Sequence, residues 1–283
     1  MHPHVAGKLF WDHGFDLYVL NYKMNGRCRK SGWVTNPYFN SHNKSGNFDV
    51  YKSDIMKSLE IVNTSREYET VLGYAHSTGA PILANYIMEY GDAAFEGFIF
   101  NSPFLDWGFV GGDMVEFALK RMSLLKNLSL GHLSNDTIIG LAVTPDALKD
   151  TPVRYLDHDV VPSAWSARLW SVYYFDWGSR PLYEVPMTVG FAEGVTAVHL
   201  KMIKLFSGEK RVLTLKPLLV ITSRGDDVLK ASETLTRADW LGSNRCEVEL
   251  DNNGHDVFLS QDKDDVEMAL DMVAAWMKNQ KFI

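Results

Sequence analysis

The chain has 283 residues, which is enough for one large α/β domain or for a core with an inserted subdomain. Hydrophobic residues make up 46% and charged residues 22%, a balance typical of globular proteins, which argues against disorder. The net charge of −7, without a basic cluster, argues against nucleic acid or an anionic membrane surface as a partner.

The cysteines and the lengths of the apolar runs indicate which compartment and which cofactors to expect. Cys28 and Cys246 form neither a disulfide framework nor the spacing of a metal site, so we expect free thiols in the cytoplasm. No run of about 18 apolar residues is present to span a membrane, and no targeting pattern opens the chain. We expect no metal or other cofactor, and the sequence leaves the oligomeric state open.

Helices and strands alternate in the first hundred residues. The predicted elements are a helix at 3–13 ending at Gly14, a strand at 16–22, a long polar loop at 23–47, a helix at 48–62, a strand from residue 71, a helix at 81–90 and a strand at 95–100. The helix at 48–62 carries Tyr51, Ile55, Leu59 and Val62 on one stripe.

The character of the sequence changes between residues 106 and 212. Strand signals fade there, helical patches alternate with proline-containing loops, and aromatic side chains such as Trp165 and Trp170 gather. We therefore predict a helical lid at 106–212, inserted between core segments at 1–105 and 213–283. The second core segment holds predicted strands at 217–222 and 246–250, and a helix at 262–278 with Val266, Leu270, Val273 and Met277 facing inward. This alternation predicts an α/β fold with a mostly parallel sheet flanked by helices.

The most informative motif is the run from Val71 to Ala80, in which an apolar strand stops at a serine among small residues. Ala75, Ser77 and Gly79 occupy the fixed positions of Gly-x-Ser-x-Gly, the nucleophile elbow, with alanine in place of the first glycine. The flanking side chains must be small because a nucleophilic serine stands on a strained strand-to-helix turn. The same turn places the Thr78 amide at a helix N-terminus, where it can stabilise an oxyanion.

A serine nucleophile requires a general base. Among the nine histidines, His255 is the best placed, because it lies on a polar, glycine-containing loop directly after the last predicted strand. His76 adjoins the serine, but neighbours on a tight turn point apart, so we expect it to line the turn. The alternative to a catalytic role is that Ser77 lies on an ordinary strand-to-helix turn and that His255 lies on a surface turn.

The carboxylate that orients the base should follow the preceding strand. Asp226 and Asp227 follow the strand at 217–222, and Asp226 is favoured because it stands two residues before Val228, in an Asp-x-Val arrangement. Asp227 and Asp106 stay open as alternative acids. Asp239 is excluded because only a few residues separate it from the next predicted strand, which leaves no room for the helix that should lie between them.

The order Ser77, Asp226, His255 is that of α/β-hydrolases and differs from the orders in chymotrypsin and subtilisin. The sequence resembles the group that includes monoacylglycerol lipases, lysophospholipases and serine aminopeptidases. The likeness rests on segments 73–79, 100–106, 225–228 and 254–256, and it covers most of the chain outside the lid. It implies the α/β-hydrolase fold and hydrolysis of carboxylic esters through an acyl-enzyme on Ser77. The aromatic lid suggests an apolar acyl or aryl ester as the substrate.

One departure separates the sequence from that group. The group's sheet contains a further strand, ending in a His-Gly loop that donates the second oxyanion amide, and His13-Gly14 ends a helix instead. We expect an incomplete chain start; direct pairing of the flanking strands and a degenerate protein are the alternatives. Because losing one oxyanion donor costs about 10²–10³ in kcat, a non-catalytic or impaired scaffold that binds a ligand or partner is the second hypothesis.

Overall fold

The computed structural model describes residues 10–20, 22, 47–106, 138–143, 184–206, 211–226, 228–259 and 263–283. In these ranges the strands are β1 (Leu72–His76), β2 (Gly97–Asn101), β3 (Ile138–Val143), β4 (Glu184–Thr188), β5 (Leu218–Ser223) and β6 (Arg245–Leu250). β1, β2, β5 and β6 form a parallel sheet in the order β1-β2-β5-β6, and β3 pairs with β4 in a separate antiparallel sheet.

In the described ranges, helices precede β1 and follow β1, β4, β5 and β6 in the chain. They are α1 (Lys52–Ser65), α2 (Gly79–Tyr90), α3 (Val189–Phe206), α4 (Ala231–Ala238) and α5 (Lys263–Asn279), with 3-10 turns at Trp11–His13, Phe48–Tyr51 and Val257–Leu259. The predicted strands at 95–100, 217–222 and 246–250 are confirmed with small shifts of their bounds, as are the helices at 48–62, 81–90 and 262–278. No helix in the described ranges combines the length and the apolar composition needed to cross a membrane.

The central strands β2 and β5 are buried on both faces of the sheet, which explains their continuous apolar sequences. Alternate side chains enter two core clusters, because successive strand residues point to opposite faces. Phe98 and Phe100 pack with residues of α1, α2 and α3, whereas Ile99 and Leu219 pack with α5. The α5 stripe of Val266, Leu270, Val273 and Met277 is buried as predicted.

The prediction of a strand at 16–22 is wrong for its described residues, which have no strand structure at 16–20 or at 22. Leu20 and Tyr22 are partly buried against one core cluster, whereas Leu17, Tyr18 and Val19 are exposed, so the apolar pattern does not mark a buried strand. In the described part of the chain, β1 pairs only with β2, and a strand forms only where a neighbour supplies ladder hydrogen bonds. Most of the predicted helix at 3–13 lies outside the described residues, and its end at Gly14 is confirmed.

The prediction of a helical insertion at 106–212 is wrong for β3 and β4, which pair as antiparallel strands. β3 is a short apolar run, and the periodicity of such a run does not distinguish a strand from a helix. β4 mixes polar and apolar residues and contains Pro186, so its residues carry no clear strand signal. α3 lies in the same range and is helical, and its Val195, Val198 and Met202 pack into the α/β core. The rest of the predicted lid lies outside the described residues, and the division at 106 and 212 stays a prediction.

Candidate active site

Three loops that follow strands meet at one edge of the parallel sheet. Ser77 comes directly after β1, Asp226 follows β5 and His255 follows β6. Because the carboxyl ends of parallel strands share one edge, residues distant in sequence come together there. The sheet thereby positions all three side chains that the sequence predicted as a catalytic set.

Ser77 occupies a strained turn between β1 and α2. Its φ is 50°, in the left-handed region that residues with a Cβ rarely adopt. Its N–H donates to the Asn101 carbonyl at 3.1 Å, and its carbonyl accepts from the amides of Ala80 at 3.0 Å and Phe104 at 3.1 Å. Neighbouring elements hold this backbone in place, as strained residues at functional sites require.

His255 bridges Ser77 and Asp226 through its two ring nitrogens. Nε2 lies 2.8 Å from Oγ of Ser77, and Nδ1 lies 2.9 Å from Oδ2 of Asp226. An ionised carboxylate only accepts hydrogen bonds, so Nδ1 carries the proton and Nε2 is the acceptor that faces the serine hydroxyl. This tautomer is the one that a general base requires.

Asp226 is buried, with 7% of its surface exposed. One oxygen faces His255, and the other accepts backbone N–H groups from Val228 and Leu229, both at 2.8 Å. The three donors satisfy the carboxylate away from water and fix its orientation toward the ring.

The alternative acids differ in their surroundings. Asp106 accepts from Nε of Arg237 at 2.9 Å and from Nη2 at 2.8 Å, so an arginine engages this carboxylate. Asp227 lies outside the described residues. Thr78 stands between Ser77 and the first residue of α2, which places its amide at a helix N-terminus, where the helix dipole favours negative charge.

His76 has a larger part in the site than its sequence position indicated. Its ring lies against the ring of His255, with centroids 4.9 Å apart, and its Nε2 donates to the His255 carbonyl at 3.3 Å. Burial lowers the pKa of His76 to about 4, so this ring is neutral at pH 7. From the sequence we expected His76 only to line the turn, because its contact with the loop after β6 is a tertiary one.

Among the described residues, no group of three or more His, Cys, Asp or Glu side chains could hold a metal ion. The polar groups at the meeting point of the loops include a hydroxyl, two imidazoles, the Asp226 carboxylate and backbone amides. These groups suit proton transfer and nucleophilic attack.

No family model matches the sequence, and no curated protein matches it either. Solved structures do resemble the chain. A monoacylglycerol lipase from Paleococcus ferrophilus is 14% identical with a TM-score of 0.60, and the alignment covers 99% of this chain and 90% of that one. A soluble variant of monoglyceride lipase from Saccharomyces cerevisiae, bound to a substrate analogue, is 12% identical with a TM-score of 0.64 and coverages of 99% and 83%.

An esterase from Exiguobacterium antarcticum is also similar, at 13% identity and a TM-score of 0.55, with coverages of 97% and 86%. At such low identity, these similarities establish the fold alone. The chain has the α/β-hydrolase fold.

Proposed function

We propose that the protein is a serine hydrolase that cleaves carboxylic esters through an acyl-enzyme on Ser77. The observation that carries this proposal is the pair of hydrogen bonds that joins Ser77 to His255 at 2.8 Å and His255 to Asp226 at 2.9 Å. This continuous line from hydroxyl to carboxylate favours an enzyme over the alternative of a non-catalytic scaffold.

The first half of the reaction forms the acyl-enzyme. Nε2 of His255 accepts the Ser77 hydroxyl proton while Oγ attacks the ester carbonyl carbon. The Thr78 amide donates to the oxygen of the tetrahedral intermediate, which carries the negative charge. The intermediate collapses when the bond to the alcohol oxygen breaks, and His255 returns its proton to the leaving alcohol.

The second half of the reaction restores the enzyme. His255 accepts a proton from water, the resulting hydroxide adds to the acyl carbonyl, and the bond to Oγ breaks as Ser77 is reprotonated. One ester and one water yield one acid and one alcohol. Asp226 keeps the Nδ1 proton on its side of the ring and stabilises the imidazolium formed in each half-reaction.

We infer an apolar acyl or aryl ester as the substrate class. The similar structures support this choice, since two are lipases of monoacylglycerol or monoglyceride and a third is an esterase. The apolar aromatic composition of the predicted lid at 106–212 supports it as well. An amide substrate stays a secondary alternative.

Turnover of p-nitrophenyl esters of increasing acyl length tests the proposal. The wild type should release p-nitrophenol, and Ser77→Ala should reduce kcat by about 10⁶ because the nucleophile is gone. Ser232→Ala is the matched control, since Ser232 lies exposed on α4 and should leave turnover unchanged. A folded wild-type protein that hydrolyses no ester of the series would contradict the proposal, as would full activity in Ser77→Ala.

A further inference from the structure

Asn101 is a fully buried polar residue at the end of β2, between the loops that carry Ser77 and His255. Its backbone carbonyl accepts the Ser77 N–H at 3.1 Å. Its side-chain Nδ2 donates to Oδ1 of Asp256 at 2.8 Å and to the Tyr74 hydroxyl at 2.9 Å, and its Oδ1 faces the Val257 N–H at 3.4 Å. One residue therefore contacts the serine by its backbone and the histidine loop by its side chain.

The contacts to the histidine loop reach the two residues that directly follow His255. Asp256 also accepts the N–H of Phe258 at 3.1 Å, so its carboxylate is part of a local turn. A carboxylate only accepts hydrogen bonds, so it depends on the donors around it. The Asn101 amide is the donor that ties this turn to the strand beside the nucleophile.

The buried polar groups around Asn101 satisfy one another's hydrogen bonds. Burial raises the pKa of the Tyr74 hydroxyl well above its usual range, so this group stays protonated. Both amide hydrogens of Asn101 have an oxygen partner and its carbonyl oxygen faces an N–H, which is what a buried amide requires. An aliphatic side chain at position 101 would leave Asp256 without one of its donors inside the protein.

We propose that Asn101 is a positioning residue that sets the separation between Ser77 and His255. The inference rests on the proposed function, because this separation matters only if His255 takes the proton of Ser77. Loss of the amide frees the 256–257 segment from β2 and lets the ring drift from the hydroxyl. A misplacement of about 1 Å at a reacting centre can reduce the rate about 10²-fold.

Two substitutions remove the hydrogen bond between Asn101 and Asp256, one by removing the donor and the other by removing the acceptor. Asn101→Leu keeps a similar volume without polar atoms, and Asp256→Ala removes the acceptor without altering β2. Each should lower kcat about 10²-fold with little change in KM, because the reacting atoms are displaced while the substrate surface is kept. Asp256→Asn keeps an acceptor for Asn101 and for Phe258, so it should recover most of the rate.

Asn85→Leu is the matched control for the loss of a buried amide. Asn85 is buried on α2 and bonds to Asp49 at 3.0 Å and Lys201 at 3.2 Å, on elements outside the three site loops. This variant should lower the urea midpoint while kcat stays at the wild-type value. A merely structural role for Asn101 predicts the same behaviour for Asn101→Leu, so the contrast in kcat separates the two accounts.

An activity-independent signal completes the test. The low-field proton resonance of His255 Nδ1–H, assigned with His255→Gln, reports the bond to Asp226 whether or not the protein turns over. If Asn101 positions His255, this resonance should broaden or disappear in Asp256→Ala. It should persist in Asp256→Asn and in Asn85→Leu. If folded Asp256→Ala keeps both the resonance and the wild-type kcat, the inference is wrong although the proposed function stands. If the wild type shows the resonance but no esterase activity, the proposed function fails and the resonance alone decides the inference.

Discussion

Arg237 holds Asp106 in an ion pair, with Nη2 and Nε at 2.8 and 2.9 Å from the same carboxylate oxygen. The guanidinium also lies over the Trp240 ring, 4.5 Å from its centroid. This arrangement engages one of the alternative acids, while Asp226 is the carboxylate bonded to Nδ1 of His255. We therefore expect substitutions of the two aspartates to affect kcat differently.

Asp226→Asn should lower kcat by about 10⁴ without preventing folding. The amide oxygen can still accept from Val228 and Leu229, and its NH₂ then faces Nδ1 of His255. Two donors cannot face each other, so the ring takes the tautomer with the proton on Nε2, which no longer accepts from Ser77. The measurement is the single-turnover rate with a p-nitrophenyl ester at pH 7.

Asp106→Asn and Asp227→Asn are the controls for this variant, and both should turn over at close to the wild-type rate. Loss of activity in Asp106→Asn comparable to that in Asp226→Asn would reassign the acid. A folded Asp226→Asn with wild-type turnover would remove this residue from the mechanism.

Gly225 allows the loop that carries Asp226 to approach the loop that carries His255 closely. A Cβ at this position would lie 2.8 Å from the Asn253 carbonyl oxygen and 3.0 Å from the backbone of Asn252. Backbone atoms yield less readily than side-chain ends, so Gly225→Ala should destabilise the protein by about 1–3 kcal/mol. It should also lower kcat, because relief of the clash moves Asp226 away from His255. Urea unfolding and ester turnover measure the two effects.

Gly79→Ala is the matched comparison, since Gly79 also borders the site and belongs to the elbow motif. Among the described residues, its added Cβ would contact the Cβ of Ala75, at an ordinary van der Waals distance of 3.7 Å. Alanine is the better helix former, so this variant should be neutral or gain up to about 1 kcal/mol of stability. Equal damage from the two substitutions would show that local strain, and not the contact between loops, governs both positions.

His199 should make stability depend on pH. Burial lowers the pKa of His199 to about 4, from an ordinary value of 6.5; Asp106 opposes this shift, and Arg237 reinforces it. Its Nε2 donates to the Phe104 carbonyl at 2.9 Å, which favours the charged ring, but burial has the larger effect, so the folded protein keeps this ring neutral above about pH 4. Between pH 6.5 and pH 4 the unfolded chain binds the proton more readily, so the free energy of unfolding falls as the pH falls. The full effect is about 3 kcal/mol.

His199→Gln tests this dependence, because its amide can donate to the same carbonyl and does not titrate. Urea midpoints measured from pH 7.5 down to pH 4.5 should fall less steeply in the variant than in the wild type. His76 contributes in the same direction to both proteins, so the difference between the slopes reports His199. Parallel slopes would contradict the assignment.

Sequence patterns predicted the parts of the molecule that depend on local order. The apolar runs of β2 and β5 and the α5 stripe followed from periodicity, and the positions of Ser77, Asp226 and His255 after strands indicated where they would meet. The structure brings these three side chains within hydrogen-bonding distance of one another.

The remaining features depend on partners that are distant in the sequence. The segment at 16–20 has a strand-like composition, but in the described part of the chain no strand pairs with it. The contact of His76 with His255 joins the last residue of β1 to the loop after β6, and no local pattern encodes it. Asn101 belongs to a segment that carries the family resemblance, but nothing in the sequence indicated its contacts, and the role proposed for it follows from the network that surrounds it.

The most direct test of the account is intact-protein mass spectrometry after incubation with a fluorophosphonate, followed by peptide mapping. We predict a single covalent adduct on Ser77, absent in Ser77→Ala and formed far more slowly in His255→Gln. A folded wild-type protein that gains no adduct, or one modified at another residue while Ser77 stays free, would contradict it.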